Sequence, residues 1–195
     1  SYVLYDPRLP DLFVIEPELT QKKNELGELS FTIPKEHPNY GVLEKLKSRI
    51  KIYRDDTLIW IGRAIEDDRD LYENRKVLAE GALSFLLDSV LRPFTFDGTA
   101  TELFAWILAA HNAQVNENQR LTLGNCDISG SVGVTTKDYL SSWQALKTCL
   151  FDSFGGYLIV RYDNTGDPIV DFLSDVLDTA TQRIEFGENL IDLAL

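Results

Sequence analysis

The stretch Leu71-Tyr72-Glu73-Asn74-Arg75-Lys76-Val77-Leu78-Ala79-Glu80-Gly81-Ala82-Leu83-Ser84-Phe85-Leu86-Leu87-Asp88-Ser89-Val90 decides the fold. Its first half, 71–79, reads as a strand returning from a charged connection at 66–70. After Gly81 the period changes. Leu83, Leu86, Leu87 and Val90 stand at i, i+3, i+4 and i+7, one face of a helix, and Pro93 stops it. A β-rich part therefore gives way near Gly81 to an α+β part.

Working back from that boundary, residues 58–65 read as a strand, preceded by a polar turn at 54–57 and by Ile50 and Ile52 alternating with Lys51. Leu29, Phe31 and Ile33 alternate with Ser30 and Thr32, the period of a half-buried strand. Residues 12–15 make a short apolar strand ended by Glu16-Pro17. Pro34 and Pro38 bracket a turn, and residues 40–47 are expected to form a short helix. Frequent turns between strands favour a small barrel or sandwich.

Forward from the boundary, Thr99-Ala100-Thr101-Glu102 has the form of a capping box. It opens a strongly apolar helix through Leu103, Phe104, Trp106, Ile107 and Leu108 that ends near His111-Asn112. Short strands are expected within 121–136. A third helix carries Tyr139, Trp143, Leu146 and Leu150 on one stripe and stops at Gly155-Gly156. Residues 157–162 and 169–173 form a hairpin around Asp163-Asn164-Thr165-Gly166-Asp167. Two further strands are expected at 183–186 and 190–195. The apolar run to the last residue suggests a further domain beyond it.

The chain has 195 residues, 44% apolar and 26% charged, values that give a folded core rather than a disordered chain. Its net charge is −12, from 31 acidic and 19 basic residues. That balance argues against binding nucleic acid through phosphates and against docking on an anionic membrane leaflet. No apolar run reaches the ~18–20 residues of a spanning helix, and the first residues lack the pattern of a signal peptide. Cys126 and Cys149 form neither a metal spacing nor a disulfide framework, so a reduced, non-exported product is expected. Methionine is absent, so Ser1 follows either initiator removal or a cut chain.

Chemistry-bearing residues are few. His37 sits in a Glu-His-Pro turn, and His111 at a helix end, where it suits the C-terminal dipole. Both are read as structural. Cys149 is read as a small core residue, and nothing near Cys126 would lower its pKa. Asp67, Asp68 and Asp70, and likewise Asp163 and Asp167, are acidic clusters that read as solvated turns, not as the calcium loop. There is no nucleophile elbow, Walker loop or dinucleotide fingerprint. No catalytic, cofactor-binding or metal-binding residue is assigned, and no cofactor is expected. Trp106 and Trp143 read as core. In the strand around Trp60 both faces are apolar, so it is covered on both sides, and a second subunit is one candidate for a cover.

Several segments, taken in order, resemble one family. They are Phe31-Thr32-Ile33-Pro34-Lys35-Glu36-His37-Pro38-Asn39-Tyr40, Leu46-Lys47-Ser48-Arg49-Ile50, Ile61-Gly62-Arg63 and Glu80-Gly81-Ala82-Leu83-Ser84-Phe85-Leu86-Leu87-Asp88-Ser89. His111-Asn112-Ala113-Gln114-Val115, Gly155-Gly156-Tyr157-Leu158 and Phe186-Gly187-Glu188-Asn189-Leu190-Ile191-Asp192-Leu193 continue the series. The series is similar to the N-terminal region of siphophage tail-tip, or tail-associated, proteins of the prophage tail endopeptidase type, related to contractile-phage baseplate hubs.

The resemblance implies an α+β chain. Its parts are an antiparallel β-barrel ring domain at 1–80, an outer α+β domain with three helices at 81–182, and the start of a second barrel at 183–195. It also implies a virion structural protein of the tail tip, made in the host cytoplasm and homotrimeric at full length. It would meet the distal tail protein and the tape measure protein, join host-attachment modules, and pass DNA through its channel without binding it specifically. A contractile or type VI secretion hub shares that fold. The lysin activity of such proteins sits further along their chains, and no hydrolase motif is present, so no enzyme is expected. The −12 charge suits a wall that lets DNA slide, or simply confers solubility. The ring contacts expected are strands 29–33 and 58–65. The readings held against this one are a cell-wall hydrolase or peptidase, and a saccharide- or receptor-binding module using exposed aromatics and calcium-loaded acidic turns.

Overall fold

The computed structural model describes residues 2–163 and 165–175. The strands expected at 183–186 and 190–195, the beginning of a second barrel and the segment 186–193 lie outside the described residues.

The N-terminal part is one antiparallel sheet of five strands: β1 (Ile15–Thr20), β2 (Glu28–Ile33), β3 (Arg49–Arg54), β4 (Thr57–Arg69) and β5 (Arg75–Gly81), in the order β1-β2-β5-β4-β3. The expected alternation is present in β2, where Leu29, Phe31 and Ile33 are buried between half-exposed partners. The barrel expectation is corrected: β1 and β3 do not pair, so the sheet is an open half-barrel. The physical reason lies partly in β1. Pro17 has no N–H to donate, Glu16 has a positive φ of 49°, and the register slips between Ile15 and Glu18. Residues 12–14 precede the strand instead of forming it.

β4 is longer than its apolar half. The charged segment expected to connect two strands is itself strand, with Asp67 opposite Val77 and Asp68 opposite Lys76. It holds its charge because Arg75, nearly fully buried, donates from Nε and Nη2 to the two Asp67 oxygens at 2.8 and 2.5 Å. The same guanidinium donates to the carbonyls of Tyr40 and Leu43. That removes the acceptors a helix at 40–47 would need, and this segment is a series of turns. The β3–β4 hairpin turns on Asp55 and Asp56, both at positive φ as a two-residue type I′ turn requires.

Trp60 organises the sheet interior. Its ring lies directly over Gly62, where a Cβ would stand 2.2 Å from the indole and 2.2 Å from the Glu80 carbonyl. Gly62 and Gly81 are cross-strand partners, so the indole covers a pair of residues without side chains. Leu29, Phe31, Ile33, Val77 and Ala79 complete this core. On the opposite face Ile61 is fully buried within the same chain. The second-subunit cover considered for this strand is therefore not required. The cover is a hairpin of β11 (Tyr157–Tyr162) and β12 (Pro168–Leu173). Tyr162 Oη accepts the Ile61 N–H at 2.9 Å, just beyond the end of β5, and Gly166 lies against Leu58.

The second part has its own core. Residues Ala82–Leu87 form a 3₁₀ turn, not the expected α-helix, because Val90 and Leu91 leave as β6 (Val90–Leu91) to pair with β10 (Leu140–Ser141). Helix α1 (Ala100–Asn112) begins at the Thr99–Glu102 capping box, as expected. Strands β7 (Thr95–Thr99) and β9 (Ser131–Thr135) pair beside it. Strand β8 (Thr122–Cys126) joins β12 in parallel, giving a sheet β11-β12-β8.

The third helix comprises α2 (Ser142–Leu146), a π-helical segment (Lys147–Phe151) and α3 (Asp152–Phe154), stopped by Gly155 at φ 69°. Tyr139 lies outside it and is exposed. Phe104, Ile107, Leu146, Leu150, Val170 and Phe172 fill the core, and Cys149 is buried among them as expected. Trp143 is half-buried, edge-on to Phe151. Trp106 departs from its core expectation. It is 38% exposed, stacked beside Phe94 and Phe96 on the outer side of α1. The two cores are tied by Asn24, which donates to the Gly156 carbonyl at 2.9 Å and accepts the Leu158 N–H at 2.8 Å.

Gly62→Ala should lower unfolding stability by about 1–3 kcal/mol in urea titrations, because neither the Trp60 ring nor the Glu80 carbonyl can retreat cheaply. Gly41→Ala, in open space, serves as the neutral control.

Candidate functional site

One buried hydrogen-bonded group in the second part of the chain joins a histidine and two serines. His111, in the last turn of α1, is fully buried. Its Nε2 faces the Gln119 carbonyl at 3.0 Å, which can only accept, so Nε2 carries the proton. Nδ1 is then an acceptor and takes the Ser89 hydroxyl at 2.7 Å. Ser89 Oγ in turn accepts from Ser142 Oγ at 2.7 Å. Sequence reading placed His111 at the helix end but missed both serines. Ser89 lies 22 residues from His111, and Ser142 lies 53 residues from Ser89, with no motif to join them.

The arrangement has the parts of a nucleophile and base without access. Ser89, His111 and Ser142 are each no more than 1% exposed. Burial pushes the His111 pKa below its ordinary value of 6.5, opposed by the hydrogen bond to Gln119 and by the nearby Asp88 charge. A neutral, buried imidazole is not a dipole-stabilising cation, so that part of the reading is corrected. Asp88 itself is held by Arg63 in a bidentate pair and also accepts from Gln119 Nε2 at 2.6 Å.

His37 is structural in a similar way. Its Nε2 donates to the Leu4 carbonyl at 2.9 Å and its Nδ1 accepts the Asn39 N–H, fixing the N-terminal segment over the first sheet. The solvated-turn reading of the first acidic cluster is corrected for Asp67 and Asp68, which lie in β4 with Asp67 paired to Arg75; Asp70 and the Asp163–Asp167 cluster are turns built on their own carboxylates. Asp70 accepts from the N–H groups of Tyr72 and Asn74, and Asp163 from those of Thr165 and Asp167. Among the described residues, no three His, Cys, Asp or Glu side chains stand where they could hold one metal ion. Cys126 is half-buried.

What the molecule offers outward is surface. The strands expected to make contacts between copies, 29–33 and 58–65, are interior to the sheet, each with a strand on both sides. Among the described residues the outer strands of this sheet are β1 and β3. β1 shows Ile15, Glu16, Pro17 and Glu18 to solvent, and β3 shows Lys51, Tyr53 and Arg54. The β4–β5 turn presents Leu71 and Tyr72, the most exposed large apolar side chains among the described residues. A shallow apolar groove of about 540 Å³ runs along Pro93, Phe94, Trp106 and Ala110.

No family model matches the chain. No curated protein matches it. Among solved structures it is similar to the prophage tail protein gp18 from Listeria monocytogenes EGD-e, with a TM-score of 0.50 and 13% identity. The similarity covers 78% of this chain and 43% of that one, so the chain spans less than half the length of the protein it matches. At that identity what is shared is the fold.

Since burial lowers the His111 pKa, folding favours the neutral ring. Its stabilising contribution is complete above pH ~6.5 and is lost progressively as pH falls below that value toward the lowered native pKa. Urea titrations from pH 7.5 down to pH 5 should show this slope in the parent chain and a shallower one in His111→Gln. Ser89→Ala should cost about 1–2 kcal/mol at pH 7.5, because it leaves His111 Nδ1 buried without a donor.

Proposed function

We propose that the chain is a structural protein of a phage or prophage tail, a wall segment of the tail tip. The observation that carries this reading is the fold it shares with a prophage tail protein over 78% of its length. The ordered segments that resemble the tail-tip family point the same way. A fold hosts more than one activity, and the activity resides in the side chains it positions. A hydrolase needs a nucleophile and a base within reach of substrate. Here Ser89, His111 and Ser142 are sealed and committed to one another, and His37 is committed to Leu4 and Asn39. These placements support a chain that acts by assembling and not by catalysis.

In this reading the chain is part of a hub, homotrimeric at full length, that continues or closes the tail tube. It docks on the distal tail protein with the tape measure protein inside, and it hands on to host-attachment modules. The virion tail tip is its site of action, after synthesis in the host cytoplasm. The net charge of −12 suits a channel through which DNA slides without being held.

Antibodies raised to this chain, applied with gold labels to particles released on prophage induction, should decorate the tail end distal to the capsid. Label on the capsid alone, or no label on any particle, overturns the reading. Release of soluble muropeptides from purified cell wall by the chain would restore the hydrolase alternative.

A further inference from the structure

The turn at 70–74, between β4 and β5, is built the reverse of a solvated loop. Turn tips are usually filled by glycine, proline, asparagine, aspartate or serine. Here the tip is Leu71 and Tyr72, 99% and 80% exposed, and the residues with turn chemistry face inward. Asp70 accepts the N–H groups of Tyr72 and Asn74 on one carboxylate oxygen, at 2.8 and 2.9 Å, and the Asn74 side-chain amide on the other at 3.0 Å. Glu73, at a left-handed φ of 64°, donates its N–H to the Asp70 carbonyl, and its own carbonyl accepts the Tyr40 hydroxyl. The Asn74 side-chain oxygen accepts the Lys35 N–H at 3.2 Å. The turn is held from within and from the loop beside it. Its two apolar side chains are therefore presented with little backbone ordering left to lose on binding.

A surface suited to them lies on the second part of the chain. Val90, Pro93, Phe94, Trp106 and Ala110 line the shallow groove of about 540 Å³. Phe94 and Trp106 stack at its floor with ring centroids 4.7 Å apart, and the indole keeps an open side. Charge agrees with shape. The tip at 68–73 holds three carboxylates, Asp68, Asp70 and Glu73, against one cation, Arg69, and Glu73 also pairs with Lys35. The groove lining holds one charged residue, Arg92, exposed and without a carboxylate partner among the described residues.

We propose that the turn of one copy of this chain seats in the groove of a second copy, with Tyr72 extending the Phe94–Trp106 aromatic pair and Leu71 meeting Val90 and Pro93. Leu71, at 99% exposure, is not seated in the groove of its own chain. The knob belongs to the first part and the hollow to the second, so the contact is heterologous and each copy keeps one of the two for a further neighbour. Two side chains bury far less than the ~1,000 Å² of a stable interface. Free chains therefore meet weakly, and copies already held side by side meet at high effective concentration. The inference goes beyond the tail reading and does not rest on it. A lipid surface is the competing taker for an exposed Leu–Tyr pair, and the carboxylates around the tip oppose an anionic leaflet.

Covalent capture reads so weak a contact directly. In the 195-residue chain a photoreactive benzoylphenylalanine replaces Tyr72, and this chain is irradiated together with ¹⁵N-labelled parent chain. Mass spectrometry should find residue 72 joined to residues 90–94 or 106–114 of the labelled chain. Ala110→Glu, which fills the half-buried floor, and Arg92→Glu, which reverses the exposed rim charge, should each lower the yield at least about fivefold when placed in the labelled chain. Circular dichroism and urea midpoints establish that the variants fold, and the exposed Arg92→Glu carries the test if Ala110→Glu does not.

Cross-links confined to one chain, cross-links to other parts of the surface, no cross-link at all, or a yield unchanged in the folded variants overturns the assignment. Flotation of the parent chain with vesicles of phosphatidylcholine and phosphatidylglycerol, lost in Leu71→Asp, overturns it in favour of a membrane contact. None of these outcomes bears on the tail reading, which the gold labelling of particles decides separately.

Discussion

Five strands can curve around a single indole only where the backbone makes room for it. Trp60 occupies that room. Gly62 lies beneath its six-membered ring and Gly81 beside its nitrogen, and these two residues face each other across the β4–β5 ladder. Gly27, at φ 74°, brings the chain entering β2 against the same nitrogen. A methyl group at Gly62 would strike carbonyl and ring together, so the three central strands owe their spacing to what this position lacks. Leu29, Phe31, Val77 and Ala79 pack around the arrangement.

From that centre the rest is tied by a few polar side chains, each with more than one task. Arg75 neutralises Asp67 and fixes the carbonyls of Tyr40 and Leu43, so a single buried cation holds both the charged half of β4 and the loop over the sheet. Asn24 offers its amide to Gly156 and Leu158 as a strand neighbour would. Tyr162 does the same for Ile61 with one hydroxyl. The His111–Ser89–Ser142 chain fastens α1, α2 and the segment before β6. All are buried or half-buried groups that find hydrogen-bond partners within the chain, the condition under which polar interiors specify one structure.

Local patterns were legible in the sequence, and long-range substitutions were not. The alternation of Leu29, Phe31 and Ile33, the Thr99–Glu102 box, the helix to Asn112, the hairpin at 157–173 and the burial of Cys149 all rest on neighbours within a few residues. The misread segments depend on remote partners. Residues 66–69 look like a loop until Arg75 balances Asp67, and residues 40–47 look helical until the same arginine takes their carbonyls. Trp106 lies on an apolar stripe, but that stripe is wider than the core it meets, and the indole is left beside Phe94 at the surface. The barrel remained open because Pro17 and Glu16 interrupt an edge whose composition otherwise suits a strand. The serines of the His111 site are ordinary until α1 and α2 bring them together.

The parallel pairing of β8 with β12 has a consequence for how the molecule is made. Every strand pairing of the first sheet lies within residues 15–81, so the sheet can form while synthesis continues. β8, by contrast, must wait for Val170 and Phe172, more than forty residues later, before it gains a neighbour. The nascent chain therefore emerges with a nearly finished first half and an apolar α1 still lacking its floor. During that interval the second half is the portion at risk of capture by chaperones or of wrong association.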